Sequence, residues 1–174
     1  MLGRYENFPE IVHSVARFTY QPKEKKMQQA ILCALHRLNQ EKHDLNTISP
    51  FSTPRCEVSF EFGIAEGITF NYLDREELER FQKGNEKEAP PTLDFFCVVR
   101  YHTLKEGSRT PLKFDYHLLR FMFYKNGLEL RIAHERGTRR VCIEDLVNFI
   151  VKRVDEELSK TRLKPLKLEY LRSH

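Results

Sequence analysis

The stretch from His117 to Leu158 constrains the fold of this chain more than any other. Two runs of alternating apolar and polar residues flank Tyr124-Lys125-Asn126-Gly127. Asn-Gly between such runs marks a β-hairpin, because both central residues of a tight type I′ turn need positive φ. With Asn126 and Gly127 in those places, Phe123 pairs with Leu130 and Phe121 with Ile132. Leu119, Phe121, Phe123, Leu128, Leu130 and Ile132 then face a core, and Arg120, Met122, Tyr124, Glu129 and Arg131 face away. A one-residue slip would turn the whole apolar set to water, so the parity is strongly specified. A helix follows from about Cys142 to Lys160. Its stripe is Ile143, Leu146, Val147, Ile150, Val151, Val154 and Leu158, with Glu144 and Asp145 placed to favour the dipole of the first turn.

The rest of the chain supplies shorter signals. Pro9 opens a short helix with Ile11, Val15 and Phe18 on one face, and Pro22 opens a second carrying Met27, Ile31, Leu35 and Leu38. Residues 41–55 are polar, contain Pro50 and Pro54, and read as a loop. Cys56, Val58, Phe60 and Phe62 alternate with polar residues as in a half-buried strand, Gly63 to Gly67 turns the chain, and Ile68, Phe70 and Tyr72 repeat the alternation. Asp74 and Glu77 form a capping box for a helix that stops near Gly84. Leu93 to His102 is apolar on both sides, as expected of a central strand, and Thr103 to Lys113 reads as a polar loop.

The expected order is therefore α-α-β-β-α-β-β-β-α, a single α+β domain over 1–174 built on one five-stranded, mainly antiparallel sheet with flanking helices. It carries a short N-terminal helical extension (1–20) and a basic, leucine-rich C-terminal tail (160–174), part of which alternates as an extended strand would. This order resembles the profilin-like arrangement of roadblock-type modules, at the level of architecture alone. Helix-grip and secretion-chaperone-like arrangements accommodate the same elements. The resemblance implies a dimerising scaffold, a small-ligand sensor or an enzyme, so it does not select a function.

Composition narrows the class. The chain is 40% hydrophobic and 31% charged, with thirteen Phe and seven Tyr, which suits a packed domain and excludes a disordered one. Its net charge of +4 permits an acidic partner without demanding one. Cys33, Cys56, Cys97 and Cys142 lie far apart and form no Cys-x-x-Cys, as expected of reduced thiols in a cytoplasmic protein. No apolar run reaches membrane-spanning length and no secretory leader is visible, so no membrane role is expected.

Chemistry is sparse. There is no glycine-rich phosphate loop, His-Glu-x-x-His motif or nucleophile elbow, so no cofactor is expected and an enzyme is disfavoured. Cys142 stands at a helix start behind Arg139 and Arg140, where dipole and cations would favour a thiolate. His117 and His134 share the parity of the core-facing hairpin residues near its open end. With Asp115 or Cys97 they could form a proton-transfer or metal cluster, although hydrogen-bonded strand-end histidines are the plainer expectation. Arg120, Arg131, Arg136, Arg139 and Arg140 are candidates for nucleic acid or another polyanion. The leading expectation is a non-catalytic interaction or assembly module, homodimeric or part of a larger complex, with contacts through Met122, Tyr124, Leu166, Leu168 and Tyr170. Polyanion binding and a thiol-dependent enzyme or redox sensor at Cys142 are the alternatives.

Overall fold

A computed structural model describes residues 2–50, 56–84, 89–105 and 108–173, with side chains outside 103–105 and 108–112. The elements run β1 (Ser14–Thr19), α1 (Glu24–Leu38), β2 (Lys42–Asp44), α2 (Leu45–Ile48), β3 (Glu57–Glu66), β4 (Thr69–Tyr72), α3 (Arg75–Gly84), β5 (Thr92–Lys105), β6 (Ser108–Tyr124), β7 (Gly127–Arg136), α4 (Ile143–Lys160) and β8 (Lys167–Ser173). All eight strands join one antiparallel sheet in the order β2-β3-β5-β6-β7-β1-β8, with β4 paired to β3. The α+β class stands, but the five-stranded sheet and the profilin-like element order do not.

Three strands account for the difference. The segment expected to be an N-terminal helix is β1, which lies between β7 and β8. Its inward residues are Ser14, Ala16 and Phe18, two of them small, so the period-two signal is faint although all three are buried. The short β2 pairs with β3 inside the expected 41–55 loop. The tail supplies β8, whose Leu171 packs against the core beside Ala16. The expected 103–113 loop is also corrected, since β5 and β6 stay paired out to Lys105 and Ser108.

The hairpin has the expected faces in a different register. Tyr124 pairs with Gly127, Phe123 with Leu128 and Phe121 with Leu130, so Lys125 and Asn126 form the loop. Only Asn126 has positive φ, at 59°, which is the type II pattern and not the type I′ one. The cause is β1: its ladder with β7 runs to Thr19 and Gly127, so Gly127 is a strand residue, and the Tyr20 N–H holds the Asn126 carbonyl at 3.2 Å. A displacement of two residues preserves side-chain parity, and Phe121, Leu130 and Ile132 are buried as expected.

The stripes of α1 and α4 cover one face of the sheet. Met27, Ile31, Leu35 and Leu38 from α1 and Leu146, Ile150, Val154 and Leu158 from α4 close over Phe62, Phe95, Leu119 and Ile132 in one core. Burying each large apolar side chain stabilises the fold by roughly 1.5–3 kcal/mol. Among the described residues no helix is long and apolar enough to cross a membrane.

Among the described residues the opposite face has no helix. Its main cover is the N-terminal segment, which enters where β3 leaves β5: the Gly3 N–H donates to the Ala65 carbonyl at 2.8 Å and the Asp94 N–H to the Gly3 carbonyl at 2.6 Å. Here the Phe96 ring occupies the space beside Gly63 on the neighbouring strand, where a methyl group would overlap the ring. Gly63→Ala should therefore displace Phe96 and cost about 1–3 kcal/mol, the usual scale for overpacking. Urea unfolding of the variant against the parent measures this.

Candidate functional site

Asp115 organises the densest polar cluster in the described chain. It lies on the helix-covered face of β6, paired with Val99, and is fully buried. Four donors converge on its carboxylate. The Tyr101 O–H (2.5 Å) and the Arg140 N–H (3.2 Å) reach Oδ2, while His134 Nε2 (3.0 Å) and the Arg139 N–H (2.7 Å) reach Oδ1. A carboxylate only accepts, so His134 carries its proton on Nε2. The Tyr101 oxygen accepts in turn from the Val141 N–H at 3.1 Å. Burial pushes the Asp115 carboxyl up, but the bonds from Tyr101, His134 and Arg139 outweigh it and hold the group below its ordinary range. The Tyr101 phenol is pushed well up, by burial first and by its bond to Asp115 second.

Local geometry explains why the chain closes here. A bulge at Glu135 shifts β7 so that Tyr116 faces Arg136 while His117 faces His134. Gly137 follows with φ +109° and its backbone pressed against Phe114 and Asp115, where any side chain would collide. Arg139 is left-handed at φ 53°. The 137–141 connection thereby wraps its N–H groups around Asp115 and delivers α4 to the sheet.

His117 lies beside this knot without joining it. It is fully buried, its ring is 4.9 Å from that of His134, and neither ring nitrogen has a hydrogen-bond partner among the described residues. An unsatisfied buried polar group costs about 1–3 kcal/mol. Burial, and then the neighbouring His134, push its pKa down to about 4, so the ring is neutral. Cys97 pairs with His117 across β5 and β6, and burial with the Asp115 charge pushes its thiol far up. His13 steadies the corner from β1's approach, accepting the His134 N–H at Nδ1 over 3.0 Å.

The structure thus brings together His117, His134, Asp115 and Cys97, and separates the other candidates. Cys142 caps α4, its sulfur accepting the Asp145 N–H at 3.4 Å. Its thiol is pushed up, by burial first and by the charges of Asp145 and Glu144, which corrects the expectation of a favoured thiolate. Arg120 is held by Asp94 through two 2.8 Å bonds and lies over the Phe8 ring, 4.3 Å from its centre. Arg131 is bound to the buried Glu129 at 2.8 Å. Two of the five arginines expected to bind a polyanion are thus paired within the chain, while Arg136 and Arg139 are exposed and Arg140 is half-buried. Met122, Tyr124 and Tyr170 stand on the helix-free face, whereas Leu166 packs toward the core and Leu168 pairs with Phe18.

Two features carried no sequence signal. Tyr101 reads as one more apolar strand residue. The other is a groove of about 520 Å³ on the helix-free face, lined by Tyr5, Phe70, Phe114, Tyr116, Leu118, Glu135 and Arg136. Its aromatic rings form a chain: Tyr5 to Phe70 at 4.7 Å, Phe70 to Phe96 at 5.4 Å, and Phe96 to Tyr116 at 5.9 Å. A wider recess of about 780 Å³ beside Tyr20, Asn126 and Lys164 has neither an acid nor an imidazole among the described residues of its lining. No protein-family model, no curated protein and no solved structure matches this chain.

Proposed function

We propose that this protein is a non-catalytic assembly module that pairs with a second copy of itself through the helix-free face of its sheet. The observation that carries this reading is Phe114, half exposed beside an aromatic groove that has no covering helix. Exposed apolar surface of this kind, rimmed by polar groups, marks contact sites. The charges on this face favour a copy of the same chain. Arg100 is bound to Glu61, Arg120 to Asp94 and Arg131 to Glu129, which leaves a nearly neutral surface. At the groove's rim the exposed Glu135 and Arg136 are neighbours, so a two-fold contact centred near them can pair each with its opposite in the other copy.

The edge of the sheet is a poorer interface. β8 carries Lys167, Glu169 and Arg172 and is bulged at Glu169, and these features discourage strand addition. Polyanion binding is less well supported because Arg120 and Arg131 already hold carboxylates of this chain, and the N–H groups of Arg139 and Arg140 are spent on Asp115. Thiol chemistry at Cys142 is less well supported because its surroundings disfavour the thiolate.

Sedimentation equilibrium tests the proposal. The parent should show a monomer–dimer equilibrium, and Phe114→Asp, with an unchanged circular dichroism spectrum, should weaken it at least about tenfold, or ~1.4 kcal/mol. A parent that stays monomeric at every soluble concentration, or a variant that associates as well as the parent, contradicts it.

A further inference from the structure

We infer that Asp115, His117 and His134 form a binding site for one divalent transition-metal ion of the zinc type, independent of the helix-free face. The three side chains each offer a ligand atom, and those atoms lie within 4.8 Å of one another. Two imidazole nitrogens and a carboxylate oxygen are the donor set of zinc and its first-row neighbours. Calcium and magnesium prefer oxygen alone.

Three observations point to an ion. The first is His117, fully buried with both ring nitrogens unpartnered among the described residues, next to a carboxylate and a second imidazole. A cation between the rings supplies the partner that the protein itself does not. The second is the 3.0 Å separation of His134 Nε2 and Asp115 Oδ1. One proton bridges these atoms in the metal-free protein, and an ion replaces it with two bonds of about 2.0–2.2 Å, at a nearly right-angled bite. That proton leaves to solvent as the ion binds. The third is the support behind the ligands. Tyr101, Arg140 and Arg139 fix the carboxylate through O–H and N–H donors, and His13 holds the His134 backbone. Outer donors of this kind orient metal ligands and set their affinity.

The ion's route is also defined. Asp115 and His117 have no exposed surface, and only His134 reaches solvent, with 9% of its side chain exposed. Entry is therefore past His134, beneath the exposed 135–139 connection. Burial this deep makes the role structural, with the fourth position left open: the ion pins β6, β7 and the approach to α4 together.

The test is calorimetric titration of chelator-treated full-length protein with zinc chloride, alongside thermal unfolding with and without zinc. One ion per chain and a raised unfolding temperature are expected, because a ligand that binds only the native state stabilises it. Cobalt(II) should give a visible absorption spectrum of nitrogen and oxygen ligation. His117→Leu removes one ligand and no hydrogen bond, so it should fold at least as stably as the metal-free parent and lose the titration, the shift and the spectrum. The inference is overturned if zinc, cobalt, nickel and copper all leave heat and unfolding temperature unchanged. It is equally overturned if His117→Leu binds as the parent does, which would place the ion on surface histidines.

Discussion

Asp115→Ala should cost about 3–5 kcal/mol, the scale seen when one member of a buried polar pair is removed. The loss does not come from the carboxylate's own contacts in the usual sense. It comes from what is stranded: the Tyr101 hydroxyl, the His134 Nε2–H and the N–H groups of Arg139 and Arg140, all of which have Asp115 as their acceptor. Each buried donor without an acceptor costs about 1–3 kcal/mol, and local relaxation recovers part of the sum. Against a typical total stability of about 5–15 kcal/mol, the variant should be marginal at room temperature. Asp115→Asn should cost less, because its oxygen still accepts while its NH₂ faces donors. Urea unfolding followed by circular dichroism measures both. A loss below about 1 kcal/mol in the alanine variant would mean that water already reaches the 137–141 connection.

The second large effect is at the pair that anchors the N-terminal segment. Asp94→Ala should cost about 3–5 kcal/mol, because it leaves the Arg120 guanidinium, whose side chain is only 17% exposed, without its counter-charge. Asp94 also accepts the Tyr5 N–H at 2.7 Å, and Arg120 donates to the Tyr5 carbonyl at 3.2 Å. The segment over the sheet should loosen with the pair. The double variant Asp94→Leu with Arg120→Met should recover most of the loss, since apolar side chains of similar volume replace buried ion pairs with little net cost. Unfolding of the parent, both singles and the double closes the cycle. Additive losses would show that the two groups act on the fold separately.

The parts of this fold that were legible in the sequence are those where one periodicity dominates. The α4 stripe, the Asp74 cap and the faces of the β6–β7 hairpin all come from unambiguous patterns. The hairpin also shows what a pattern leaves open. Parity depends on residues modulo two, so a register displaced by two residues kept every side chain on its expected face, and the neighbour that set the register was β1, a strand near the start of the chain whose Thr19 pairs with Gly127. That strand, β1, was illegible because Ser14 and Ala16 leave little hydrophobic contrast, and Ile11, Val15 and Phe18 happen to match a helix. Ile11 is in fact 84% exposed.

The candidate site was half legible for the same reason. Parity placed only His117 and His134 on one face, with Asp115 or Cys97 as their neighbour, and the structure brings both neighbours to that corner. Parity said nothing of Tyr101, whose hydroxyl matters only because β5 brings it beside Asp115. Arg139 and Arg140 drew attention as cations, yet their backbone N–H groups do the binding. The helix-free groove depends on the path of residues 2–13, which no local pattern encodes.

The self-pairing of the sheet's open face is tested most directly by backbone amide NMR of the full chain over a dilution series. Concentration-dependent shifts should gather at Phe114, Tyr116, Leu118, Glu135 and Arg136 and spare α1 and α4. Spectra that do not change with concentration, or shifts that map to the helices instead, would contradict a dimer formed through this face.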